Sequence, residues 1–445
     1  MWERLRSIWT APDLRNKILF TMGILLLTRV LANITIPLTP TEHQALLNLF
    51  NGANGNSQNL GQLLGLLDVF SGGSLAKFSI IGLGVYPYIT ATIVMQLLQP
   101  IIPALQNMSM EGEAGRLKFS QITRIITVPL ALLYALGNSS LYVQQGVLTN
   151  FDLFSPQYAL QSWSIVVVLT AGTMILVWLG ELITEKGIGN GVSLIIFAGI
   201  VSGMPQYIAQ GYSSMTASGG GTGGVISIAS FLIVGVLTIV GIVYIYQGQR
   251  RVPVQYPTKR MVGRGMLVGS AQTTYIPIQV NSAGMIPLIF AQSMLLFPSI
   301  ISRYLTTSSA PWLKNAATWV GTYLTNQNAW YYQAIFFLLV VAFTYFYAYV
   351  LWQQQNIPEN LQKQGAFIPG YRPGEPTSRY LEIILSRVTL GGALFLGLVA
   401  ILPWVAHAGQ LLSSAALLIA VGVVLDTVRQ LEAQMVMRNY SGFLS

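Results

Sequence analysis

Ten stretches of nearly unbroken apolar residues recur along the chain, near residues 18–37, 78–98, 122–143, 163–183, 192–211, 225–246, 283–302, 330–352, 383–403 and 408–428. A helix crosses a bilayer core with about 20 consecutive apolar residues. Inside that core each backbone N–H and C=O must find its partner within the protein, so only helices or closed barrels can span it. Barrel strands would be short and alternating. The runs here are continuous and helix-length, which predicts an all-α polytopic membrane protein of about ten transmembrane helices. Composition points the same way: 8% of residues are charged and mean hydropathy is +0.58, against roughly 25% charged in an ordinary globular domain.

Ten spans place both termini on one side, and the basic residues say which. Short loops rich in lysine and arginine stay in the cytoplasm. Of the 23 Lys and Arg residues, Arg29 lies inside the first stretch and only Lys77, Arg303 and Lys314 fall on the predicted outer face; the rest fall on the face that carries the termini. Both termini are therefore expected to be cytoplasmic. The expected organisation is an amphipathic, interfacial segment at 1–17, an N-terminal half at 18–212, a C-terminal half at 213–429 and a cytoplasmic tail at 430–445.

Two cytoplasmic loops, 247–282 and 353–382, are too long to be simple connectors, and loops of that length usually carry function. In the first, alternating Val252, Val254 and Tyr256, then Ile276, Ile278 and Val280, flank a basic, glycine-containing tip. That alternation predicts a projecting hairpin. Residues 60–75, NLGQLLGLLDVFSGGS, are apolar but too short to cross, so a short re-entrant helix on the outer side is expected. SGGGTGG at 218–224 reads as a flexible linker.

Gly84, Pro87, Ile89 and Ala91 recur as Gly284, Pro287, Ile289 and Ala291. Five spans separate the copies, so the halves would enter the membrane in opposite senses, the inverted-repeat logic of many transport proteins. Each proline is expected to free a backbone carbonyl at the same depth, which is tolerated where backbone lines a cavity or packs on protein.

Catalytic patterns are missing from the sequence. It contains no H-E-x-x-H, no G-x-x-x-x-G-K-[ST] and no serine motif with a plausible histidine partner. It has no cysteine, and its two histidines, His43 and His407, fall in an outer loop and at a span end. No enzyme activity, cofactor or metal is expected. GIGNG at 187–191 lacks a parallel-sheet context and reads as a tight turn. Glu181, Glu185, Glu382 and Asp426 sit near cytoplasmic span ends rather than at the midplane, which weakens an ion-coupled carrier. Arg29 alone carries charge deep in a span, at a cost of roughly 2.5–3.5 kcal/mol on insertion scales, so it should face protein or water.

Six segments, in order, resemble the SecY family, the channel-forming subunits of the bacterial Sec protein translocon. They are FSGGSLAKFSIIGLGVYPYITATIVMQLL from 70, EGEAGRLKFSQITR from 111, WLGELITEKGIGNGVSLIIFAGIV from 178, QRRVPVQYPTKR from 249, VNSAGMIPLIFA from 280 and GAFIPGYRPGEPTSRYL from 365. The resemblance implies two inverted five-helix halves around a central pore, opening sideways to lipid between spans two and three and spans seven and eight. Family pore-ring positions map to Val85, Ile89, Val192, Ile196, Ile289 and Ile419. All are β-branched and aliphatic, able to dewet when empty and to yield around a passing chain.

The family's plug, a short helix closing the outer funnel, maps to 60–75, with Leu63, Leu64, Leu66, Leu67 and Phe70 as its apolar face and Gly72 and Gly73 as its hinge. Pro87, Gln96, Pro287 and Gln292 map to the lateral gate. Arg250, Arg251, Lys259, Arg260, Arg264 and Arg372 map to the surface for a ribosome or a SecA-type motor ATPase; at the tip, Gly265 stands where a second arginine of a pair is expected. The implied partners are SecE-like and SecG-like small membrane subunits, the motor, the ribosome, signal peptides and nascent chains, and the lipid bilayer. The implied function is passage of unfolded secretory polypeptides across the membrane and sideways release of membrane helices, driven by a bound motor or ribosome. The alternative that the repeat alone permits is a secondary transporter of small solutes.

Overall fold

The computed structural model describes residues 12–50, 68, 71–144, 146–148, 151–152, 155–217, 222–262, 266–284, 286–306, 312, 314–315, 318–320, 329–405 and 414–441, with some of these elements described by their backbone alone. The N-terminal half contains α1 (Pro12–Ala32), α2 (Pro40–Phe50), α3 (Tyr86–Leu98), α4 (Pro103–Met110), α5 (Glu113–Gln144), α6 (Ala159–Lys186) and α7 (Gly191–Ala217). The C-terminal half contains α8 (Thr222–Gln247), β1 (Gln249–Val262), β2 (Met266–Gln279), α9 (Ile286–Thr306), α10 (Trp330–Gln355), α11 (Ile357–Lys363), α12 (Glu375–Val405) and α13 (Ser414–Ser441).

Among the described residues, four helical segments are long and apolar enough to cross a membrane: Leu117–Val143, Ala159–Lys186, Trp330–Lys363 and Glu375–Leu402. Shorter apolar helical stretches run over Gly191–Pro205, Gly235–Gln247 and Ile286–Leu295. Large aliphatic side chains such as Ile125, Val167, Val240, Leu338 and Leu398 stand exposed on their surfaces. A surface of that kind is stable only against lipid, so the chain is a mostly helical, multi-pass membrane protein.

The second apolar stretch departs from expectation. Residues 71–85 fold as successive turns, and helix begins only at Tyr86. The apolar run continues through these turns because Phe78, Ile81, Leu83 and Val85 are buried in protein rather than exposed to lipid. The repeat shares this geometry. Gly84 and Gly284 both take left-handed backbone, φ 60° and 65°, immediately before α3 and α9. That conformation comes without steric cost only to glycine. Pro87 and Pro287 are then the second residues of their helices. In the first turn a missing N–H removes no intrahelical bond, so neither proline frees a carbonyl, contrary to the expectation above. The repeated motif is a helix start, used twice.

His43 lies exposed in α2, whereas His407 falls outside the described residues. Residues 187–190 form the expected turn, with Gly189 at φ 85°. Of the expected linker, α8 already includes residues from Thr222, and 218–221 fall outside the described residues.

The predicted hairpin is present. β1 and β2 pair antiparallel in a register running from Gln249 opposite Gln279 to Val262 opposite Met266. Val252, Val254 and Ile278 are buried at its base against Trp352, Leu361, Ile368 and Leu381. Gln255 and Phe367 exchange two backbone hydrogen bonds of 2.9 and 3.0 Å. The two long loops therefore form one packed unit.

Candidate functional site

An apolar cluster joins the two halves at the centre of the molecule. From the N-terminal half it takes residues of α1, α3, α6 and α7, and from the C-terminal half residues of α9, α10 and α13. All six predicted ring positions belong to it: Val85, Ile196, Ile289 and Ile419 are buried, and Ile89 and Val192 pack against them half-buried. Their placement follows from where helices begin. Val85 precedes α3 and Ile89 lies in its first turn; Val192 and Ile196 sit one turn apart at the start of α7; Ile289 lies in the first turn of α9. Ile419 enters from α13. Gly180 and Gly191 bring α6 and α7 together here, since a Cβ on Gly180 would stand 2.9 Å from the Val192 side chain.

Around this cluster the halves meet unequally. α7 packs on α8 and α13, while α3 meets α9 over a smaller contact. The thinner seam carries polar groups. Gln96 lies on α3, where Tyr347 of α10 faces it, and Gln292 is buried on α9 with an Oε1 that has no hydrogen-bond partner among the described residues. Pro87 and Pro287 are both buried at this seam's helix starts. At the end of the seam nearer the hairpin, Gln354 Nε2 donates to Gln99 Oε1 at 3.1 Å, tying α10 to the end of α3. Sequence reasoning missed that bond, because neither glutamine belongs to a pattern.

The turns before α3 are held tightly. Leu63, Leu64, Leu66, Leu67 and Phe70 of the predicted plug lie outside the described residues, but its hinge and Asp68 are described. The Asp68 carboxylate accepts from the Ala76 N–H at 2.8 Å, and its backbone carbonyl accepts from Gly73 and from the Ser71 hydroxyl. Burial pushes its carboxyl up to about 6, against the opposing pull of hydrogen bonds from the Ala76 and Leu75 backbone and the Ser71 side chain and of the Lys77 charge. Downstream, Ile36 and Phe78 and then Ile80 and Ile34 are joined by backbone bonds of 3.0 Å, so the turn is stitched to the end of α1.

Arg29 meets the requirement set by its position in α1. Nη1 donates to Gly72 O at 2.9 Å, and Nη2 donates to Ala198 O at 2.9 Å and Gly199 O at 3.1 Å. Gly72 has φ 70°, and a Cβ there would stand 2.5 Å from Gly199 Cα. Elsewhere between helices, Arg124 of α5 pairs with Glu181 of α6 at 2.6 Å.

On the hairpin unit, Arg250 and Arg251 are exposed at the base. Arg372 is exposed in a turn between Gly370 and Gly374, pinned by the Thr377 hydroxyl bonded to its carbonyl at 2.8 Å and by Tyr371 stacked on Tyr380 at 4.0 Å. Lys259 and Arg260 are placed on β1 by backbone only, and Arg264 lies outside the described residues.

A helical membrane protein with an aliphatic cluster between two half-bundles, a thin polar seam and an exposed basic hairpin unit is built as a channel rather than as a catalyst. The SecY family model matches residues 79–428, and the chain belongs to that family. It is 41% identical over 447 residues to the protein translocase subunit SecY of Mycobacterium tuberculosis, covering 97% of each chain. Its fold is similar to that of a SecY channel whose plug domain stabilises the closed state and maintains a membrane seal, with a TM-score of 0.60, 18% identity, and 94% and 92% of the two chains covered. It is also similar to Sec61 in the canine ribosome-channel complex, with a TM-score of 0.55, 17% identity and the same coverage.

Proposed function

We propose that this chain is the protein-conducting channel of a translocase, passing unfolded polypeptides across the plasma membrane and releasing apolar helices sideways into lipid. As a SecY-family subunit it is not an enzyme. The observation that carries the reading is the gathering of six β-branched aliphatic side chains, from four helical regions of both halves, into one cluster. Such a ring makes no directional bonds. It excludes water and ions when empty, and it can deform around any side chain.

Ten spans with both termini cytoplasmic place the basic hairpin unit where a ribosome or a motor ATPase would dock. Arg250, Arg251 and Arg372 would meet anionic groups there, with Lys259, Arg260 and Arg264 nearer the tip. Ribosomal RNA contacts of that kind weaken steeply with salt. Small SecE-like and SecG-like subunits would clamp the two halves. The chain contains no nucleotide-binding motif, so a partner supplies the energy. In this reading the seam between α3 and α9, with Gln96 and Gln292 on its two sides, parts for a signal helix. The segment at 60–75 then leaves the outer funnel. A solute carrier finds no comparable support, since Glu181, Glu185, Glu382 and Asp426 fall near span ends in the sequence rather than at mid-span.

The test is reconstitution with the small subunits, a motor and ATP, followed by addition of an unfolded precursor outside the vesicles. Protease-protected precursor that depends on a functional signal sequence is the expected result. Saturable uptake of a small solute, with no precursor protected, would overturn the reading.

A further inference from the structure

Arg29 is the one cation deep in a span, and the ring and docking surfaces make no use of it. We propose that it is a positioning residue that latches the hinge of the plug to α7 in the resting channel, an inference that rests on the plug reading above. Its guanidinium joins three carbonyls from two separated segments, Gly72 on one side and Ala198 and Gly199 on the other. Those carbonyls are free to accept, since each has a second lone pair beyond any helical bond. The two segments touch as well. Gly72 lies so close that a side chain on it would collide with Gly199 Cα at 2.5 Å and with Arg29 Nη2 at 2.8 Å.

Arginine suits the task because its rigid fork presents five donors in a plane and keeps its charge, whereas lysine offers a single ammonium point. The division of bonds makes the latch reversible. When the plug leaves, Arg29 gives up only the bond to Gly72, and α7 keeps the cation satisfied inside the membrane. One charge-assisted bond corresponds to a ratio of docked to released plug on the order of tenfold to a hundredfold. The neighbouring hinge is well ordered for this purpose: Ser74 is fully buried, and its hydroxyl donates to Ser71 O at 2.7 Å.

The chain has no cysteine, so a single Ser74→Cys thiol reports hinge release by its labelling with a membrane-impermeant maleimide in idle, fully assembled channels. Arg29→Met should raise the labelling rate at least tenfold (the tenfold end of that range) and increase chloride leak from loaded vesicles, with Arg29→Lys in between. Gly72→Ala, which keeps the arginine but denies it the close approach, should do the same, and it serves if Arg29→Met fails to assemble. Labelling unchanged by both Arg29→Met and Gly72→Ala, in channels that leak when residues 60–70 are excised, would overturn the latch while leaving the plug intact. Labelling that rises with no change in leak, for these variants and for the excision alike, would overturn the plug reading itself.

Discussion

Asp68 holds the hinge by accepting hydrogen bonds from the Ala76 and Leu75 backbone and the Ser71 side chain, yet burial lifts its carboxyl to about 6. A docked carboxyl that is raised above the ordinary carboxylate range binds more protons than a released one, so docking strengthens as pH falls through 6 and levels off once the released group also protonates. The docked-to-released ratio should rise about tenfold between pH 7.5 and pH 5. Lys77 and Tyr142 are the polar neighbours, and Lys77 is bonded to Asn33. Chloride leak measured against external pH checks this: it should fall with acidification in the native chain and lose that dependence in Asp68→Asn. A leak that rises on acidification would contradict it. Arg29 was legible as a residue in need of partners, because charge in an apolar run is costly. Its partners were not, since backbone carbonyls carry no signature in a sequence.

At the scale of elements, the hairpin was readable from alternation alone, because burial on one face leaves a period of two. The start of α3 was not. Hydropathy rates SIIGLGVY as membrane-spanning, and these residues are apolar because protein covers them. Only the left-handed glycine distinguishes a buried turn from a lipid-facing helix, and its repetition at 284 is what gives the motif its meaning. Two tests follow at this scale. Val254→Asp, burying a carboxylate at the base of the hairpin, should destabilise the cytoplasmic unit by several kcal/mol and make its loops protease-sensitive. Arg251→Glu should leave protease resistance unchanged while weakening ribosome or motor binding about tenfold or more at low salt, an effect that shrinks as salt rises. Loss of binding in Val254→Asp with intact loops would separate the two surfaces. At the seam, Gln354→Leu removes the tie to Gln99. At about 1 kcal/mol for a neutral bond, roughly a fivefold gain in export of precursors with weakened signal sequences is expected; unchanged export would show that this bond does not hold the seam.

The whole molecule combines a thick hinge side, where α7 meets α8 and α13, with a thin side, where α3 meets α9 and Gln354 of α10 bonds Gln99 at the end of α3. The aliphatic cluster lies between them. Two half-bundles joined more firmly on one side can part on the other without losing the constriction's frame. The inverted repeat was visible in four residues, but that its two copies begin helices flanking a shared cluster required the fold. The most direct measurement is photocrosslinking from single cysteines carrying a photoreactive probe at Ile89 and Ile289, against a precursor stalled midway by a folded domain. A chain threading the ring should crosslink from both positions and only while stalled. A stalled chain that crosslinks to neither, while still protected from protease on the far side, would contradict a path through this constriction.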